Sequence, residues 1–408
     1  MAAFSHNNKK AFLPLKVSLQ RPVKLTEIRL RQIKKGFLRF YCMENINSVI
    51  RDAVSSIQSL DRKRSSFAKK VFPFLERDLS GFVSDELLEQ KLVFPVKKSS
   101  LDCSVAGIDS GFVSKEFLAL DLTLVRGMGS VFDYKNNKVE KAHYFPNFFS
   151  FPTPYLSNRA LEIDEFACSK SIRRLLVEIG LAKEIVEKCR PEFCFLDGSI
   201  VPQYPDKPRS DSTIKDFYHE MIFAFQDLYR AAEKNNCILL GCVEDSRGSR
   251  FRSILQKEIL EKEGISSSEI DDCYDAILLD YLLKQGERSM AFRYSNEIAK
   301  HPVLMDFEKK FAEQVHAFYL KPVALDRPMR IEFLHSSQNS FSEFTDKIAG
   351  IVFALSCLHR EYAFPSILIE ADLHARLKSE EIETVYQKIL DKLGRSVNIR
   401  MRRSNRPF

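Results

Sequence analysis

A chain of 408 residues with 45% hydrophobic content has the length for two or three domains and the apolar material for a large core, which excludes wholesale disorder. Its nine cysteines form no CxxC pair and lie in apolar runs such as Phe193-Cys194-Phe195, which excludes a disulfide framework or a zinc site and suits free thiols in a reducing compartment. The net charge of +7 is uneven: the first forty residues hold ten Lys/Arg against Glu27 alone, Arg395 to Phe408 holds five Arg and no acid, and the stretch between them sums to −7.

Basic ends around an acidic middle suit the clamping of a polyanion, or are solvated arms. The N-terminus has too little serine for an organellar transit peptide. The apolar run Ile348 to Cys357 is too short to span a bilayer. The expectation is a soluble, cytoplasmic protein with no membrane partner.

Residues 1–100 read as a mostly helical region. Met43 to Leu60 and Phe67 to Leu92 carry apolar residues at three- and four-residue spacing. Its role is open, with dimer or partner contacts as guesses. From residue 101 the pattern changes. Ser104 to Asp109 is an apolar run that stops at an aspartate, with Ser110 and Gly111 behind it, and reads as a first buried strand. Phe117 to Tyr134 reads as a second strand, Lys135-Asn136-Asn137-Lys138 as a turn, and Val139 to Phe145 as a third strand.

A loop rich in proline and aromatic residues follows. Ser169 to Cys189 is an amphipathic helix, and Glu192 to Asp197 is a fourth strand that again stops at an aspartate before Gly198-Ser199. Ser212 to Asn235 is a second long helix and Cys237 to Val243 a fifth strand. Three strands in a meander, then helix, strand, helix, strand, is the connectivity of a ribonuclease H-like fold: a mixed α/β sheet flanked by helices, here spanning 101–408 with insertions and a basic tail.

The acids sharpen this. An aspartate at a buried strand tip is costly to desolvate, and two such tips side by side repel unless a cation sits between them. Asp109 and Asp197 therefore form a candidate site for a hard cation such as Mg²⁺ or Mn²⁺. Ribonuclease H-like nucleases carry further carboxylates in the first long helix and in a C-terminal helix. Glu178 interrupts the apolar stripe of Leu175, Ala182 and Ile185. Phe364-Pro365 opens a helix whose inward face holds Leu368, Ala371, Asp372 and Ala375.

Hydrolysis of a phosphodiester by two metals needs carboxylates from separate elements meeting at one point. Singly, each acid has a plainer reading. Asp109 and Asp197 would cap turns or helices, and Glu178 would snorkel from the stripe's edge. The ordered set is what carries the site.

With those residues named, the chain resembles the NurA nuclease family of archaea and bacteria. The resemblance rests on Val105-Ala-Gly-Ile-Asp-Ser-Gly111, Arg173-Arg-Leu-Leu-Val-Glu178, Phe195-Leu-Asp-Gly-Ser-Ile200, the segment from Asp275 to Ser289, Arg330-Ile-Glu-Phe333, and Phe364 to Asp372. It implies a manganese-dependent DNA nuclease with a ribonuclease H-like core, two Mn²⁺ (or Mg²⁺) ions per active site, and Asp109, Glu178, Asp197 and Asp372 as catalytic metal ligands. It further implies a homodimer that cuts single-stranded DNA internally and from the 5′ end and works with the hexameric HerA translocase in DNA end resection.

The sequence departs from the family's pattern in two places. Phe364 stands where a tyrosine is usual, with Asp372 at the position of a histidine, and Glu244 lies where a lysine is usual. Phosphate contacts would then fall to Arg247, Arg250 and Arg252, unless these simply line a solvated loop.

Other features weigh less. His374 sits about 200° around the helix from Asp372, which favours a structural role. The aromatic loop with Phe145, Phe148, Phe149 and Phe151 suits base stacking or packing. There is no P-loop and no dinucleotide fingerprint, so ATP hydrolysis is not expected of this chain. The competing function is a catalytically degenerate adaptor that binds DNA or a translocase ring without cutting.

Overall fold

The computed structural model describes residues 46–117, 120–157, 161–336 and 340–393. The basic N-terminal segment and the arginine-rich tail both lie outside the described residues. The chain divides into two units, 1–61 and 62–408.

Helix α1 (Ile46–Leu75) crosses that division, and in the second unit it buries Phe67, Ala68, Val71 and Phe74. The expected second helix as far as Leu92 does not form. Pro73 lies in the last turn of α1, and the chain then runs through tight turns, with the Ser80 amide on the Asp78 carboxylate. A short strand β1 (Val93–Pro95) ends this stretch.

The meander follows as β2 (Ser104–Glu116), β3 (Asp121–Lys135) and β4 (Lys138–Phe145), with β5 (Thr153–Ser157) also on β3. Then come α2 (Ile163–Cys189), β6 (Phe193–Asp197), α3 (Lys215–Lys234) and β7 (Ile238–Val243). The C-terminal part contains α4 (Arg250–Ile254), α5 (Asp275–Leu282), β8 (Glu287–Ser289), β9 (Phe292–Arg293) and α6 (Lys309–Gln314). It continues with β10 (Val315–Lys321), β11 (Met329–Leu334), α7 (Phe341–Ser356), α8 (Ser366–Ala375) and α9 (Ser379–Leu393).

Among the described residues one mixed sheet runs β1-β8-β10-β11-β7-β6-β2-β3-β4. Only the β2–β6 and β6–β7 pairs are parallel. The segment β4-β3-β2-β6-β7 is the ribonuclease H-like arrangement expected from the sequence. The antiparallel extension through β11, β10 and β8 was not expected. β10 is buried along its whole length and β11 is buried through Phe333, so neither shows the alternation that marks a half-exposed strand.

Alternate residues of the central strands feed two cores. Ala106, Ile108, Cys194 and Leu196 face α2 and α3, whereas Val105, Phe193 and Phe195 face α7 and α8. Glycines let α8 settle directly on β2. A Cβ at Gly107 would stand 2.7 Å from the Ile367 carbonyl oxygen, and one at Gly111 would stand 2.6 Å from that of Ala375. No described helix is long and apolar enough to cross a membrane.

Candidate active site

Asp109 is not at a strand tip. It sits midway along β2, which continues against β3 to Glu116. What stops beside it is the parallel neighbour: the β2–β6 ladder ends at Ile108↔Leu196. Asp109 and Asp197 thus stand where two parallel strands part, on the α8 face. This is the edge at which open α/β sheets place their ligands.

From there the four expected carboxylates converge. The Asp109 side chain is 7% exposed and accepts a 2.6 Å bond from the Ser110 amide. Burial pushes its pKa up, and the charge of Asp372 adds to the push while Arg174 opposes it. Glu178 is 2% exposed on α2, and burial holds its carboxyl up to about 7 against the pull of Arg174. Its Oε2 receives the Ser110 hydroxyl at 2.5 Å and Arg174 Nη1 at 2.8 Å. Asp197 ends β6, and burial raises its pKa to about 8 with help from Asp109, Glu178, Glu244 and Asp372. Asp372 is half-buried on α8.

Carboxyls kept from ionising first by burial and then by one another mark a place short of positive charge. Arg174 is the cation that pairs with Glu178 there. An all-carboxylate donor set fits a hard divalent cation such as Mn²⁺ or Mg²⁺. The shell is not tight, however: among the described residues no three His, Cys, Asp or Glu side chains are gathered closely enough to hold an ion as they stand.

Ser110 and Arg174 escaped the sequence reading as partners of Glu178. Their signal was weak: a serine after the strand aspartate, and an arginine one helical turn before the glutamate. Tyr362 was also missed. Its hydroxyl donates to Glu244, and its own pKa is raised by burial, by that bond, and by the nearby charges of Glu244, Asp197 and Asp372. Phe364 is buried in the core beneath α8, where it serves as packing.

The three expected phosphate-binding arginines separate. Arg250 pairs with Glu86 and donates to the Arg293 carbonyl at 3.4 Å. Arg252 donates to the carbonyls of Ile270, at 2.7 Å, and Asp271. Both brace the loop from within. Arg247 is exposed, and its guanidinium makes no hydrogen bond or ion pair with a described residue. His374 bonds Glu370 at 3.3 Å and packs its ring on Tyr144 and Phe148. Phe149 and Phe151 beyond them are largely exposed.

A family model, the NurA domain, matches residues 103–377, which includes all four acids. The chain belongs to the NurA family. As a NurA protein it is an enzyme, a nuclease that hydrolyses phosphodiester bonds of DNA. No curated protein sequence matches it.

Among solved structures, the NurA nuclease from Sulfolobus solfataricus is 14% identical, with 86% of this chain and 98% of that chain covered at a TM-score of 0.52. That likeness is one of fold. A crystal structure of NurA bound to dAMP and manganese is 9% identical over 87% of this chain and 98% of that one, at a TM-score of 0.48.

Proposed function

We propose that this NurA protein is a metal-dependent nuclease of single strands, cutting internally and from the 5′ end, and that it acts in DNA end resection and double-strand break repair. The observation that carries the reading is the convergence of Asp109, Glu178, Asp197 and Asp372 from four separate elements at one edge of the sheet, with Asp109, Glu178 and Asp197 held above their ordinary pKa. A protein with no use for a cation gains nothing from burying carboxylates together. Two divalent ions held by these four residues, Mn²⁺ or Mg²⁺, would supply Lewis-acid polarisation of the phosphate and a water of lowered pKa.

The chain's own residues set the stage for that chemistry. The Ser110 amide and hydroxyl orient Asp109 and Glu178 respectively. Arg174 balances Glu178 while leaving room for further positive charge. Arg247 offers a fork of donors matched to a phosphate. The family resemblance supports a homodimer working with a HerA-like hexameric ATPase.

Glu244 favours a second reading, a degenerate adaptor, because it adds negative charge where the phosphates of a substrate must pass. The test is cleavage of labelled single- and double-stranded DNA in Mn²⁺, Mg²⁺ and EDTA, with Asp109→Ala as control. Metal-dependent cutting lost in the variant supports the nuclease. Binding of DNA without cutting under any metal moves the assignment to the adaptor.

A further inference from the structure

Val243 is the last residue of β7, and Glu244 follows it in the turn. Glu244 joins the acids. Val243 lines a cavity of about 440 Å³ with Gln203, Ser246, Arg247, Tyr294, Arg330 and Glu332. Its volume lies within the range of small-molecule sites, about 300–1,000 Å³.

The floor is rigid and its charges are spent. Arg330 is 6% exposed and its Nε holds Glu332 at 2.8 Å. Glu332 also accepts the Ser199 hydroxyl at 2.5 Å and the Ile200 amide at 3.1 Å, which bolts the turn after Asp197 to the cavity wall. Tyr294 lays its ring 4.8 Å from the Arg330 guanidinium. At the rim, Asp245 is taken by Arg327 at 2.8 Å. The loop is fixed from below, since the Asp275 amide bonds the Gly248 carbonyl at 2.8 Å and the Asp275 carboxylate holds the amides of Phe251 and Arg252. Arg247 is left as the cation of this wall with no partner among the described residues.

The wall therefore offers one uncompensated positive charge, amide and hydroxyl groups from Gln203 and Ser246, and an aromatic side, in a space larger than a lone phosphate fills. We infer that this cavity is a nucleotide subsite, distinct from the carboxylate centre, in which Arg247 takes the phosphate of a nucleotide flanking the scissile bond while the Arg330–Glu332 pair forms the floor. Which strand supplies the nucleotide rests on the nuclease reading; whether a nucleotide binds does not.

Calorimetric titration of the full chain with thymidine 5′-monophosphate in EDTA tests this, because the carboxylate centre repels the ligand when no cation is present. The expected result is saturable binding to wild type and to Asp109→Asn alike, weakened at least about tenfold in Arg247→Glu with thermal stability unchanged. Inorganic phosphate should bind at least about tenfold more weakly than the nucleotide. No binding in EDTA, equal affinity in Arg247→Glu, or loss of binding in Asp109→Asn would overturn the subsite. Equal affinity for phosphate and nucleotide would overturn its assignment to a nucleotide. The nuclease reading fails separately, through absence of cleavage in Mn²⁺ by a protein that still binds the nucleotide in EDTA.

Discussion

Arg174 and Glu178 stand one helical turn apart on α2, joined at 2.8 Å, with the glutamate side chain 2% exposed and the arginine 25% exposed. The arginine thus spans the boundary between the buried acids and solvent. It supplies, without any metal, part of the positive charge that the carboxylates lack.

Replacing that cation should expose the deficit. Arg174→Gln is expected to lower stability by about 2 kcal/mol. That is less than the roughly 3–5 kcal/mol for breaking a fully buried pair, because a quarter of the arginine already meets water. Urea unfolding in EDTA measures the loss. Added Mn²⁺ should stabilise the variant more than wild type, since an ion at Glu178 does the work of the missing guanidinium. Equal stabilisation of the two would break the link between Arg174 and the cation site.

Asp109→Asn and Asp197→Asn should each abolish cleavage while the metal-free protein melts no lower than wild type. Both carboxyls are held above their ordinary pKa, so an uncharged side chain of the same shape removes repulsion and desolvation cost together. Mn²⁺ should raise the melting temperature of wild type and not that of the variants. Thermal scans with and without the ion, beside a cleavage assay, decide the point.

Gly107→Ala tests whether α8 must lie directly on β2. The new methyl would meet the Ile367 carbonyl at 2.7 Å, so the helix that carries Asp372 has to move. The expected cost is about 1–3 kcal/mol in stability and a roughly ten- to hundredfold loss of turnover. Gly180→Ala on α2 is the control, since nothing lies within 4 Å of the added methyl. It should fold and cut as wild type does.

Acid sensitivity should trace in part to His316, far from the carboxylates in the β10–β11 hairpin. Burial pushes its pKa down to about 4, the charges of His335 and Arg293 push the same way, and the Gln314 carbonyl at 2.8 Å opposes them. The unfolded chain, with an ordinary histidine near 6.5, binds the proton first. Stability is therefore lost as pH falls from about 6.5 to about 4 and levels off below, by about 3 kcal/mol at most. Urea midpoints across that range in EDTA should fall more steeply for wild type than for His316→Gln.

The acids were legible because each breaks a local rule: Asp109 and Asp197 sit in apolar strand sequences, and Glu178 and Asp372 sit in apolar helix faces. Their order along the chain then selected the fold. The place of Asp109 within its strand was not legible, since it depends on β6 ending earlier than β3, a matter of partner length rather than of local sequence. Nor were the duties of Arg250 and Arg252, whose partners Glu86, Ile270 and Asp271 come from other segments. Arg247 differs from them only in lacking such partners. The strands β10 and β11 went unread because burial on both faces erases the period-two signal.

The seat of α8 on β2 also sets when the proposed site can be complete. Asp109 emerges from the ribosome early, whereas Asp372 follows nearly two-thirds of the chain later, on a helix that joins the other acids only by docking on Gly107 and Gly111. A nascent or truncated chain holds three of the four carboxylates and lacks the element that closes the set. If the four acids are the site proposed above, a chain that stops short of α8 should not cut DNA, and synthesis itself would act as a safety catch.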